Sequence, residues 1–253
     1  MFMPRVDELN KQFGITDHLQ FEMIDDHIVC CIKNDYATAK VSTYGGQILS
    51  FLPNSEMEDV LFLSEKAVYQ AGKALRGGVP VCWPWFGDDD SGFGRPSHGF
   101  ARNQPWDVFD CKQNDDGSTT IVLSLSDTDG SLAVWPYRFN LLITVNIAQT
   151  LTVTLTTINT GTKAFPLTQA LHTYFKVSDV KHVKVSGLNG HSYLDKLTHF
   201  SSYTQTGDVI IDKEVDRVYL DVNNNVTLHD AGFKVVFKNL CHSLKLNAYA
   251  YKE

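Results

Sequence analysis

The 253-residue chain carries 22 Lys and Arg against 29 Asp and Glu, a formal charge of −7 at pH 7, with 43% hydrophobic and 20% charged residues. That length can bury a large core, and the balance is that of an ordinary soluble globular protein. With no long basic run, no membrane-length apolar stretch and no signal-peptide core in MFMPRVDELN, neither nucleic acid nor membrane is expected as a partner, and the expected location is cytoplasmic.

The first element in chain order is a short helix. Pro4 suits its first turn, Val6, Leu9 and Phe13 repeat at helical spacing, and Gly14 can close it. Strand signals follow in HIVCCIK (27–33) and YATAKVSTYG (36–45). They resume in TTIVLSLSD (119–127), YRFNLLITVNI (137–147) and QTLTVTLTTIN (149–159), where Leu151, Val153 and Leu155 alternate with threonines. Shorter runs continue with HVKVSG (182–187), DVIID (208–212), RVYLDV (217–222), NVTLHD (225–230) and FKVVFKN (233–239). Turns are expected at 114–117, 127–130, 159–161 and 223–225, where Asn, Asp and Gly cluster.

Helical patterns do not alternate with these strands, so a βαβ architecture is disfavoured. The expectation is an all-β protein, a large antiparallel sandwich with a short N-terminal helix, in a single domain over residues 1–253. The five cysteines (Cys30, Cys31, Cys82, Cys111 and Cys241) are odd in number and lack a C-x-x-C spacing, which fits reduced thiols.

Residues 75–106, LRGGVPVCWPWFGDDDSGFGRPSHGFARNQPW, break the alternation. A long aromatic-rich irregular segment in a compact domain points to a binding role. Arg76 precedes Gly77-Gly78, which permit unusual backbone angles, and Arg102 ends HGFAR; guanidinium forks suit phosphate or carboxylate. Trp83, Trp85, Phe86, Phe93 and Phe100 offer flat faces to a sugar ring, and serve equally well as core packing. The run Asp88-Asp89-Asp90 reads as a solvated loop rather than a cation site. Nucleotide loops, H-E-x-x-H and G-x-S-x-G are absent from the sequence. In QALHTYFKV (169–177) extended geometry puts Leu171, Thr173 and Phe175 on one side and His172, Tyr174 and Lys176 on the other. By itself His172 reads either as a packed core residue or as a group that moves a proton.

Taken in order, RGGVPVCWPWFG, HGFAR followed by PW, ALHTYF, VSGLNGHSYLDK and VDRVY resemble the glucose-6-phosphate 1-epimerase family. These are hexose-phosphate mutarotases within the aldose 1-epimerase, or galactose mutarotase-like, superfamily. The resemblance runs from about Gly45 to about Ser243. It implies a β-sandwich with an open cleft and a cofactor-free reaction on a hexose 6-phosphate. A carboxylate takes the proton of the C1 hydroxyl, a histidine protonates the ring oxygen, and reclosure of the opened ring gives the other anomer. Imidazole suits the acid role because its pKa of about 6.5 lies near neutrality.

The resemblance makes His172 the catalytic histidine, with Arg76 and Arg102 binding substrate, phosphate included. Ser97 and His98 join the substrate-binding set, Ser97 standing where some members place a sugar-binding glutamine. Asp216 of VDRVY would bond the sugar hydroxyls, and Asp195 of YLDK would be structural. The family pattern continues past CHS into a Trp-Asn-Pro turn and a strand carrying the catalytic glutamate. Here NLCHSLKLNAYAYKE matches neither, so the domain is expected to be C-terminally incomplete, with neither Glu214 nor Glu253 assigned as the base. The alternation from Leu244 to Tyr251 still predicts one edge strand. Two other readings stay open: a non-catalytic sugar-phosphate-binding protein and a neutral-sugar mutarotase. The sequence leaves the oligomeric state open.

Overall fold

The computed structural model describes residues 6–67, 69–70, 72, 75–89, 94–231, 233–238 and 243–248. Readings made at Pro4, Asp90, Phe93, Cys241, Tyr249, Ala250, Tyr251 and Glu253 lie outside the described residues. Two compact units divide the chain, Met1–Lys176 and Val177–Glu253.

The first unit opens with helix α1 (Val6–Phe13), which buries Leu9 and ends where the Gly14 N–H meets the Asn10 carbonyl at 3.0 Å. Strands β1 (Leu19–Ile24), β2 (His27–Lys33), β3 (Ala37–Ser42) and β4 (Gln47–Pro53) form an antiparallel meander. After the short β5 (Val81–Cys82) comes a second meander of β6 (Asp107–Gln113), β7 (Thr119–Ser126), β8 (Phe139–Ile147) and β9 (Leu151–Asn159). The two-residue β10 (Ala170–Leu171) returns to pair with β5.

Alternation explains why the meanders face one another. Ile121, Leu123 and Leu125 of β7 and Phe139, Leu141, Ile143, Val145 and Ile147 of β8 are buried at every second position. They meet Phe21, Cys30, Ile32, Ala39, Val41, Ile48 and Phe51 of the first meander in one core. Asn34 bridges the two sheets, donating to Thr119 Oγ1 at 3.1 Å and the Ile147 carbonyl at 2.9 Å. A buried amide so satisfied fixes register where apolar contacts alone would tolerate sliding.

The second unit holds β11 (Lys184–Ser186), β12 (Ser192–Asp195), β13 (Ser201–Thr204), β14 (Val209–Ile210), β15 (Val215–Leu220), β16 (Asn225–Asp230), β17 (Phe233–Lys238) and β18 (Ser243–Ala248). Their orders are β14-β11-β16-β17 and β13-β12-β15-β18, antiparallel throughout. Strand β18 is the edge strand that the alternation from Leu244 predicts, with Ala248 opposite Val215.

One predicted turn is a helix. Residues 127–130 read as a loop, yet helix α2 spans Asp129–Val134. Thr128 is its N-cap: its hydroxyl accepts from the Ser131 N–H while Ser131 Oγ accepts from the Thr128 N–H. The same Asp and Thr that favour turns also start helices, and Leu132 and Trp135 continue the winding through bonds back to Thr128 and Ser131. Among the described residues no helix is long and apolar enough to cross a membrane.

Candidate active site

The paired glycines thread the chain between two neighbours. The Gly78 N–H donates to the Phe62 carbonyl at 2.7 Å and the Val79 N–H to the Ile48 carbonyl at 2.8 Å. Gly78 takes φ +62°, and a Cβ there would lie 2.1 Å from the Ile48 oxygen, so no side chain fits. Gln47 Nε2 secures the stretch by donating to the Gly77 carbonyl at 2.7 Å. Arg76, one residue earlier, is exposed at the mouth of this thread.

On the other side of residues 78–82 runs the segment containing His172. Ala170 and Leu171 pair with Cys82 and Val81, then the His172 N–H donates to the Pro80 carbonyl at 3.0 Å and the Tyr174 N–H to the Gly78 carbonyl at 2.8 Å. This extended backbone places His172 and Tyr174 on one side, as expected. Their rings stack, with centroids 4.9 Å apart and planes 28° from parallel. His98 meets His172 edge-on at 6.0 Å and 70°, and Phe86 lies 6.4 Å away. Half-buried His172 therefore sits in an aromatic cluster with a second imidazole beside it.

His98 reaches that place through strained backbone. Its φ is +65°, uncommon outside glycine, and it is held there by a reciprocal pair: its N–H donates to the Gly87 carbonyl at 2.7 Å, and Nδ1 accepts from the Gly87 N–H at 3.1 Å. With Nδ1 an acceptor, the neutral ring carries its proton on Nε2 and can donate from there. Gly99 follows at φ +73°, where a Cβ would lie 1.9 Å from the Trp83 carbonyl oxygen. Phe86 is fixed by its N–H to Thr168 Oγ1 at 2.9 Å.

The acidic run has a structural use. Asp89 clasps Arg95 through Nη2 at 2.6 Å and Nε at 3.0 Å, and its side chain is 4% exposed. These bonds hold the Arg95 guanidinium above its usual basicity, and it also lies 4.3 Å over the Trp85 ring. Ser97 Oγ bonds the exposed Asp88, so the loop expected to be solvated is also tied to itself. Arg102 Nη2 donates to the Ser97 carbonyl at 2.8 Å, while its buried Nε has no bonding partner among the described residues. Among the described residues no group of three or more acidic, His or Cys side chains could hold a metal ion.

The first unit thus brings His98 and His172 together, and joins Ser97 to Arg102. Asp216 belongs to the second unit, on β15, where it is 2% exposed and 3.8 Å from Lys196 Nζ. Its neighbour Asp195 caps a 3₁₀ turn by accepting from the Leu197 N–H at 2.9 Å and pairs with Arg217 Nε at 3.6 Å, as a structural residue would. Glu214 is exposed. Of the aromatic residues offered for sugar stacking, Trp83 and Phe100 are core: Trp83 is 0% exposed and donates to Thr157 Oγ1 at 3.0 Å. Sequence reasoning gave no role to Gly87 or to the Asp89–Arg95 clasp; their only signal was their density within the irregular segment. None of the described cysteines forms a disulfide, and burial beside Asp110 pushes the Cys111 thiol up to about 12.

The aldose 1-epimerase family pattern matches residues 29–245. A Salmonella typhimurium protein named "Putative glucose-6-phosphate 1-epimerase" is 35% identical over 230 residues, 88% of this chain and 76% of its own length. One of the same name from Cenchrus ciliaris is 36% identical over 208 residues, 79% of this chain and 62% of its own. The crystal structure of a "putative mutarotase" from Salmonella typhimurium superposes with a TM-score of 0.78 at 34% identity, covering 86% of this chain and 72% of that one. The all-β, galactose mutarotase-like fold implied by the ordered motifs is the fold of these matches. The chain belongs to the aldose 1-epimerase family.

Proposed function

We propose that the protein interconverts the α and β anomers of glucose 6-phosphate, or of a closely related hexose 6-phosphate, by acid/base ring opening. The observation that carries this reading is the half-buried His172 with a second imidazole, His98, at 6.0 Å in a chain whose relatives bear that name. His172 donates a proton to the ring oxygen as the C1–O bond breaks and recovers it on closure, so no cofactor takes part. His98 donates from Nε2 to a sugar oxygen. Arg76 and Arg102 bind substrate and its phosphate through guanidinium forks, with Ser97 beside Arg102, and Asp216 accepts from sugar hydroxyls. The reaction also needs a group to take the C1 hydroxyl proton, and none of these residues is given that role.

A positioned general acid contributes about 10²–10⁴-fold to such a step. Anomer exchange of glucose 6-phosphate followed by NMR tests the proposal, with wild type beside His172→Ala. Exchange well above the buffer rate that falls at least about 100-fold in the variant is the expected result. A folded wild type no faster than buffer overturns it.

A further inference from the structure

We infer that Tyr174 is a positioning residue for His172, holding the imidazole in the plane from which it delivers its proton. This rests on the acid role of His172 proposed above. The torsion that turns an imidazole about its Cβ–Cγ bond has broad wells, unlike the staggered torsion before it. Backbone placement alone therefore does not aim a histidine ring; a contact must.

Tyr174 supplies that contact from a fixed base. Its N–H donates to the Gly78 carbonyl at 2.8 Å and its carbonyl accepts from the Phe62 N–H at 2.9 Å, so both of its backbone groups are bonded. On either side the His172 N–H is bonded to Pro80 and the Lys176 N–H to Val60, each at 3.0 Å. Two residues apart on extended chain, the two side chains project to the same side. The phenol ring then lies along the imidazole face at 4.9 Å and 28°. His98 at 70° and Phe86 at 46° approach more steeply, so of these three rings it is Tyr174 that lies along the imidazole face. Rotation of His172 out of the stack would carry its donor nitrogen off the line to the ring oxygen. Displacements of about 1 Å in a reacting geometry can cost about 100-fold.

The experiment compares Tyr174→Phe and Tyr174→Leu with wild type and with His172→Ala. Expected for Tyr174→Leu is a kcat for anomer exchange lowered by about 10-fold or more, with KM changed by less than about threefold. Tyr174→Phe, which keeps the flat face, stays within about threefold of wild type in both. The ring protons of His172 lose the upfield ring-current shift of the stack in the Leu variant and keep it in the Phe variant. If Tyr174→Leu does not fold, Tyr174→Met takes its place, filling the same space without a flat face. Equal kcat in wild type and Tyr174→Leu, with His172→Ala inactive, overturns this inference alone. Equal losses in the Phe and Leu variants overturn it too, by assigning the effect to the hydroxyl. Full activity in His172→Ala overturns the acid role on which it rests.

Discussion

His27 is a buried histidine outside the site, and its environment makes stability depend on pH. It is 1% exposed, stacked on Tyr44 at 4.4 Å and edge-on to Tyr69 at 5.6 Å. Among the described residues neither ring nitrogen makes a hydrogen bond of good geometry, although the Gln70 backbone lies close enough to act on the ring. Burial lowers its pKa below 6.5, against weaker upward pulls from the Gln70 backbone, Asp26 and Asp25. A depressed histidine pKa means that the unfolded chain binds the proton first. The stabilising contribution is complete above about pH 6.5 and is lost as pH falls through the folded-state value. His27→Phe keeps an aromatic ring beside Tyr44 and removes this linkage. Denaturant unfolding from pH 7 to pH 5 is expected to show wild type losing stability faster than the variant, by at most about 1.4 kcal/mol per pH unit. Parallel curves would contradict the assignment.

For the elements, the decisive piece is the thread at residues 77–80, because both neighbours of the site hang on it. Its carbonyls at Gly78 and Pro80 receive the Tyr174 and His172 N–H groups, and its own amides donate to Phe62 and Ile48. Gly78→Ala should cost at least about 2 kcal/mol, combining left-handed backbone strain with a Cβ 2.1 Å from the Ile48 oxygen. Gly117→Ala is the control: φ is +83° there, but the nearest outside atom is 3.6 Å from the new Cβ. Strain alone then costs about 1 kcal/mol. Denaturant midpoints that show no excess loss for Gly78→Ala would mean the thread yields.

At the scale of the whole molecule, Asp216 belongs to the second compact unit, and His172, His98, Ser97, Arg76 and Arg102 belong to the first. Arg102 is proposed to recognise the phosphate; its Nη2 holds the Ser97 carbonyl at 2.8 Å, and its buried Nε has no hydrogen-bond partner among the described residues. Charge-assisted hydrogen bonds are worth about 1.5–3 kcal/mol, or roughly 10–100-fold. Arg102→Ala is therefore expected to lower kcat/KM for glucose 6-phosphate by roughly that factor and to leave glucose turnover nearly unchanged. Equal losses on both sugars, measured by NMR exchange, would move Arg102 from phosphate recognition to general support of the site.

Much of this was legible in the sequence, and the reason differs by feature. The run HIVCCIK is β2 residue for residue and NVTLHD is β16, because a run of β-branched residues between turn signals is a local property. Strand β4, QILSFLP, holds a single β-branched residue, Ile48, and was not foreseen. The ordered motifs led to the family, since each keeps a glycine, histidine or arginine where backbone geometry and chemistry demand it. Tertiary structure alone decided the rest: that Trp83 is core while Phe86 borders His172, that Asp89 clasps Arg95, and that Tyr174 lies flat against the imidazole. In irregular chain no period assigns a side chain to a face. There the sides are set by bonds between residues some ninety positions apart, such as His172 to Pro80 and Tyr174 to Gly78, which exist only once the chain has folded.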